Sequence, residues 1–186
     1  MSRLPQIDPA TATGKAADVL TDVQRTLGLT PNITKAMANS PTVLKAYLQL
    51  RGTLAGGALP AGVRERLAVA TAEANGCAYC LSAHLHMGAE IAGIDEEELR
   101  LAREGRSADP YTAALLALSA EVAAHRGAVD DSVLARARAA GVTDAEIAEV
   151  VAHLALNVFT NYFNNLADPD NDWPVVVTPH THAPAH

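Results

Sequence analysis

The chain has 186 residues, 49% of them hydrophobic and only 4% aromatic, with a formal net charge of −7. That length buries a core of ordinary size without staples, so its two cysteines are not needed to hold a fold together. The charge is spread without a basic run, which argues against nucleic acid or an anionic membrane as partner and leaves a small molecule or a protein.

The opening residues, MSRLPQIDPATATG, hold no apolar stretch of signal-peptide length, and no later segment runs long enough without charge to span a bilayer. The expectation is a cytoplasmic chain, where a structural disulfide is disfavoured and two close cysteines point to catalysis, redox cycling or metal. Thr30-Pro31 and Ser40-Pro41 each set a capping side chain before a proline, the arrangement favoured at a helix start. Val43, Leu44, Tyr47, Leu48 and Leu54 then recur at helical spacing until Gly56-Gly57. Leu59-Pro60 opens a helix that Asn75-Gly76 closes.

Asp95 with Glu98 and Thr143 with Glu146 have the spacing of a capping box. Asp109-Pro110 starts a helix carrying Leu115, Leu118 and Val122 that ends near Gly127. Ile147, Val150, Val151, Leu154 and Val158 form the apolar stripe of a last long helix. No sustained alternation of β-branched residues occurs, so the class is all-α. "RERLAVATA" (64–72) and "DAEIAEVVA" (144–152) echo each other and would fit a duplicated helical hairpin. Residues 1–174 read as a single domain and 175–186 as a flexible tail rich in proline and histidine, in which His180, His182 and His186 have no assigned role.

Both cysteines fall in "EANGCAYCLSAHLHMG" (73–88). If Gly76 ends one helix, Cys77 stands in the first turn of the next, where the unpaired amides and the helix dipole favour a thiolate. Cys80 and His84 follow on the same face, so the histidine can take a thiol proton directly or through one water. Glu65 and Glu73 are candidates for an acid that orients it. Glu65 is preferred because Val69 and Ala72 share its face and would bury its carboxylate, whereas Glu73 is near an exposed helix end. A zinc site would need a fourth ligand beside Cys77, Cys80 and His84, and His86 points elsewhere on a helix. A thioredoxin-like unit would need strands. Burial of two small core residues is the remaining reading.

On the last helix His153, Asn157, Asn161 and Asn164 make a polar stripe. It reads either as a buried amide network or subunit interface, or as a pocket lining that faces the cysteines with Tyr162 and Phe163 as walls.

The spacing Glu65, "CAYC" (77–80) and His84 resembles the motif of AhpD-like alkylhydroperoxidases in the carboxymuconolactone decarboxylase superfamily. "PNITKAMANSP" (31–41), "AEANGCAYCLSAH" (72–84) and "LNVFTNYFNN" (156–165) resemble its peroxidase-related branch. The resemblance implies an AhpD-like helical bundle that associates as a homo-oligomer. It implies a peroxidase in which Cys80 attacks a hydroperoxide, Cys77 resolves the sulfenic acid to a disulfide, and His84 and Glu65 relay protons. It implies no cofactor and no metal, and an external thiol reductant, either a thioredoxin-like or a lipoyl-bearing protein. Helix-dipole reasoning alone makes Cys77 the more acidic thiol, opposite to the roles the resemblance assigns. Two positions depart from the family pattern: Tyr79 stands where a relay histidine is expected, and Asn164-Asn165 where an asparagine–histidine pair is expected. A decarboxylase-type lyase, whose relatives typically lack the C-x-x-C pair, and a non-catalytic redox sensor are the alternative functions.

Overall fold

The periodic segments form nine α-helices and no strand among the described residues, 2–178, of the computed structural model. They are α1 (Gly14–Leu27), α2 (Asn32–Met37), α3 (Pro41–Ala55), α4 (Ala61–Ala74) and α5 (Ala78–Glu90), followed by α6 (Glu96–Arg103), α7 (Pro110–His125), α8 (Asp131–Ala139) and α9 (Asp144–Ala167). No helix of the described residues is long and apolar enough to cross a membrane.

The core divides into two clusters, and α4 belongs to both. Its Val69 and Ala72 join Leu20, Met37, Leu44, Cys77, Cys80 and Leu81, while its Val63 and Leu67 join Leu115, Leu116, Leu118, Val133 and Val150. A helix buried on two sides has little apolar asymmetry, which is why α4 is alanine-rich around most of its circumference. The 24-residue α9 spans the two clusters as well, with Phe159 and Phe163 on the first and Leu154 on the second. The dithiol helix α5 packs against both of these central helices, chiefly against α4 and also against α9.

Several starts follow the capping signals. Ser40 caps α3 with Pro41 in its first turn, Asp109 caps α7, and Thr143 and Glu146 close a full box on α9. At α6 the box is half made: Asp95 accepts from Glu98 N–H, but the Glu98 carboxylate turns to Ser107 Oγ, the Ala108 amide and Arg66. At α2 the local signal fails, because Thr30 bonds Gln24 and the Asn32 amide is taken by Asp172 Oδ2 at 2.8 Å, from the far end of the chain. The two echo segments lie in α4 and α9, which pack together, but α9 continues as one helix where α4 turns into α5.

After α9 the chain reverses at Asp168, which adopts a left-handed φ of 48°. Residues 169–178 then run back across α5 as a strap. Asn171 Nδ2 (3.2 Å) and Val176 N–H (2.9 Å) both donate to Ser82 Oγ, and Val177 O accepts from Arg103. The expected tail thus begins with a packed piece, 175–178, because backbone groups there find partners on α5 and α6; His180, His182 and His186 lie outside the described residues.

Candidate active site

The turn between α4 and α5 fixes Cys77 from both sides. Cys77 N–H donates to Ala72 O at 2.9 Å and Gly76 N–H to Glu73 O at 3.1 Å, with Gly76 at φ 63°. This is a Schellman closure, and it needs a left-handed residue at Gly76. Cys77 is also the N-cap of α5, where its Sγ accepts from Cys80 N–H at 3.4 Å. Both cysteines are free thiols and both are buried.

Burial disfavours each thiolate, yet the two sulfurs part company. For Cys80, burial is outweighed by the hydrogen bond from the Cys77 thiol, then the positive charge of His84, then the amides of Asn164 and Asn161, and its pKa falls to about 7. Asn164 Nδ2 donates to Cys80 Sγ at 3.1 Å. For Cys77, the same hydrogen bond to Cys80 holds its proton, burial adds to that, and its pKa is driven up. The pair shares one proton, which stays on Cys77. The helix-start expectation is therefore reversed: Cys77 Sγ has the backbone amides of Cys80 and Tyr79, while Cys80 Sγ has a thiol, two side-chain amides and a cation around it.

Glu65 of α4 reaches His84 across the helix pair, with Oε2 2.8 Å from Nδ1 and the side chains 23% and 22% exposed. Burial lowers the His84 pKa, but the charge and hydrogen bond of Glu65 outweigh it and the net shift is upward. Burial raises Glu65, but the charge and hydrogen bond of His84 outweigh that and the net shift is downward. Both shifts favour the imidazolium–carboxylate form of the pair, one helical turn beyond Cys80. Glu73 is engaged elsewhere, with Oε2 2.6 Å from Arg103 Nε; it lines a cavity of about 390 Å³ that includes neither thiol.

The polar stripe of α9 splits by depth. Asn164 and Asn161 stand at the dithiol, and Asn161 Oδ1 accepts from Asn75 Nδ2 at 2.9 Å. His153 lies three turns earlier, buried and kept neutral by burial and by Arg64. Phe163 packs on the cluster that holds the cysteines, whereas Tyr162 is 60% exposed and walls nothing, since its position on α9 faces away from α4 and α5.

Tyr79, between the cysteines, points away from them. Its hydroxyl donates to Asp172 Oδ2 at 2.5 Å and accepts from the Ile33 amide at 3.2 Å, and its ring meets Trp173 edge-on at 5.3 Å. It ties α5 to α2 and the strap, and burial and Asp172 push its pKa up, so it is no base. Sequence reasoning missed this strap, read Tyr47 only as part of the α3 apolar spacing, and missed Arg51, four residues on, whose charge acts on Glu65 and His84. Tyr47 packs against the same cluster and lies 6.5 Å from Phe159 between ring centroids. No local signal marks contacts of such sequence separation. Among the described residues no group of three or more His, Cys, Asp and Glu side chains is placed to hold a metal ion.

Residues 41–124, which contain Glu65, both cysteines and His84, match the model of the Carboxymuconolactone decarboxylase family. A peroxidase-related protein from Ralstonia eutropha JMP134, described as an alkylhydroperoxidase AhpD core, superposes with a TM-score of 0.81 at 23% identity over 92% of each chain. The chain has the AhpD-like fold. A second peroxidase-related protein of this fold, from Silicibacter sp. TM1040, gives a TM-score of 0.77 at 22% identity over 92% of each chain. The debrominase Bmp8 shares the fold with a TM-score of 0.70 at 20% identity, over 85% of this chain and 86% of that one. No curated protein matches the chain.

Proposed function

We propose that this chain is an AhpD-like member of the carboxymuconolactone decarboxylase superfamily and a cysteine-dependent peroxidase that reduces hydroperoxides through a dithiol–disulfide cycle. The observation that supports it most is the division of protons: a Cys80 thiolate stabilised by Cys77 and Asn164, beside a charged His84–Glu65 pair.

The cycle balances with these groups alone and an external dithiol. The Cys80 thiolate attacks the terminal oxygen of R–O–O–H. An S–O bond forms as the O–O bond breaks, sulfur loses two electrons to the peroxide, and the departing alkoxide takes a proton from His84. Glu65 holds His84 charged beforehand and oriented afterwards. The Cys77 sulfur then displaces hydroxide from the Cys80 sulfenic acid, and its own proton leaves with that hydroxide as water. A dithiol reductant, thioredoxin-like or lipoyl-bearing, returns two electrons and two protons, which restore the Cys77 thiol and charged His84. Tyr79 takes no part. The catalytic set is Cys80, Cys77, His84 and Glu65, with no cofactor beyond the reductant.

Reductive dehalogenation is the second reading, favoured by the likeness to a debrominase. There Cys80 would take the halogen as a positive fragment, a protonated carbon would leave, and Cys77 would expel halide to give the same disulfide. Free thiols counted before and after one equivalent of tert-butyl hydroperoxide separate the readings, with Cys80→Ser as control. Loss of both thiols in the wild type and neither in the variant is expected. Persistence of the wild-type thiols refutes the peroxidase and leaves dehalogenation or a lyase. Rapid loss that no dithiol reverses makes the chain a redox sensor.

A further inference from the structure

Two buried amides beside the reactive sulfur have unused hydrogen-bonding groups. Asn161 is 0% exposed and Asn164 3% exposed, three residues apart on one face of α9. The Asn161 carbonyl is occupied by Asn75 Nδ2, and Asn75 is itself held by Asn165 Nδ2 on its backbone oxygen at 2.9 Å. Asn161 Nδ2 is left without a hydrogen-bond partner in good geometry, although it lies close enough to Cys80 to favour the thiolate. The Asn164 amide is set the opposite way: Nδ2 serves Cys80 Sγ, and Oδ1 is buried without a partner.

A donor and an acceptor left unmade in a buried site are each costly, so a group that satisfies both at once is favoured there. What the pair lacks is one acceptor atom joined to one O–H or N–H. A hydroperoxide supplies both on adjoining oxygens, and the sulfenic acid that follows supplies both on one.

We propose that Asn161 and Asn164 form an amide clamp for the substrate: Asn164 Oδ1 accepts the O–H of the attacked oxygen, and Asn161 Nδ2 donates to the adjoining oxygen as charge builds on it. The clamp rests on the peroxidase reading and deepens it, because it selects molecules with an O–O–H group over alkylating or thiol-exchanging agents of similar size. When the S–O bond has formed and the alkoxide has left with its proton from His84, the same two groups hold the sulfenic acid, with Asn164 accepting its O–H and Asn161 donating to its oxygen. Asn75 acts at one remove, as the residue that orients Asn161.

The test compares two reagents on the reduced protein. Rates of thiol loss are measured with tert-butyl hydroperoxide and with methyl methanethiosulfonate, which reacts with a thiolate but offers no O–H. Both are taken above the thiolate midpoint, found from ultraviolet thiolate absorbance, so that a change in acidity drops out. Asn161→Ala is expected to slow the hydroperoxide about 10- to 100-fold, somewhat less than loss of an oxyanion-hole donor, and the thiosulfonate less than about 3-fold. If both rates fall together, or neither falls, the clamp is refuted while the peroxidase stands. If the wild type reacts with thiosulfonate and not with hydroperoxide, the peroxidase reading fails and the clamp with it. Should Asn161→Ala not fold, Asn161→Asp keeps the acceptor for Asn75 and replaces the donor with an anionic oxygen; compared above its own, higher thiolate midpoint, it must show the same change in ratio.

Discussion

Replacing Glu65 with glutamine removes one charge and keeps the shape. Opposite charges roughly 4 Å apart attract by about 4 kcal/mol at an effective dielectric near 20. The pair is mostly buried, so desolvation of both groups cancels part of this. A remainder of about 1.5–3 kcal/mol favours the charged form of His84, in keeping with its upward shift. Glu65→Gln should therefore leave His84 largely neutral at pH 7 and deprive the departing alkoxide of its proton donor. Thiol oxidation by hydroperoxide should slow about 10- to 100-fold. The Cys80 midpoint should rise by less than about one unit, because the charge of His84 is one of several influences on it. Stopped-flow thiol consumption and NMR titration of the His84 ring measure these effects. Stability adds a signed check. His84 is raised in the folded state, so its contribution is complete below its ordinary 6.5 and is lost as pH climbs through the folded value. Glu65 is lowered, so its contribution is complete above its ordinary 4.5 and is lost as pH falls through the folded value. The stability gap between wild type and Glu65→Gln should peak between pH 4.5 and 6.5. An unchanged His84 titration together with a wild-type rate would refute this reasoning.

Asn164→Leu removes a donor to the Cys80 sulfur and should raise the thiolate midpoint from about 7 by about one unit, read by ultraviolet absorbance. Cys77→Ser should stop the cycle at the sulfenic acid: one thiol lost per hydroperoxide, and an adduct with dimedone on Cys80 visible by mass spectrometry. Tyr79→Phe leaves the Ile33 amide without its acceptor and takes one of two donors from Asp172, which keeps the Asn32 amide, so chemical denaturation should show a loss of about 1–3 kcal/mol while the Cys80 midpoint and oxidation rate stay near wild type.

Much of the helix order is legible in the sequence because the chemistry that sets it is local. Proline and aspartate or serine before α3 and α7, the full box on α9 and the Asn75-Gly76 stop on α4 act within one helical turn, and each feature stands where the sequence puts it. Helix α1 carries no such mark, since Thr13 makes no capping bond. The face shared by Cys77, Cys80 and His84 also follows from spacing alone; Glu65 does meet His84, but not for the burial expected, since the Glu73 side chain is the less exposed of the two (13% against 23%) and is set apart by its ion pair with Arg103. What spacing does not give is the order of acidity. The dipole argument treats Cys77 as an isolated group at a helix start, but the proton is placed by contacts from α9 and by the second sulfur. The role of Tyr79 is hidden for the same reason, since its partners Ile33 and Asp172 lie 46 and 93 residues away.

The account stands on Cys80, rather than Cys77, being the thiolate at neutral pH. Thiolate absorbance of the reduced wild type, Cys77→Ser and Cys80→Ser, followed from pH 5 to 10, tests that directly. A wild-type transition near pH 7 that vanishes in Cys80→Ser and survives in Cys77→Ser is the predicted result. A transition near pH 7 that persists in Cys80→Ser, or a first midpoint at the ordinary thiol value of about 8.5, would contradict it.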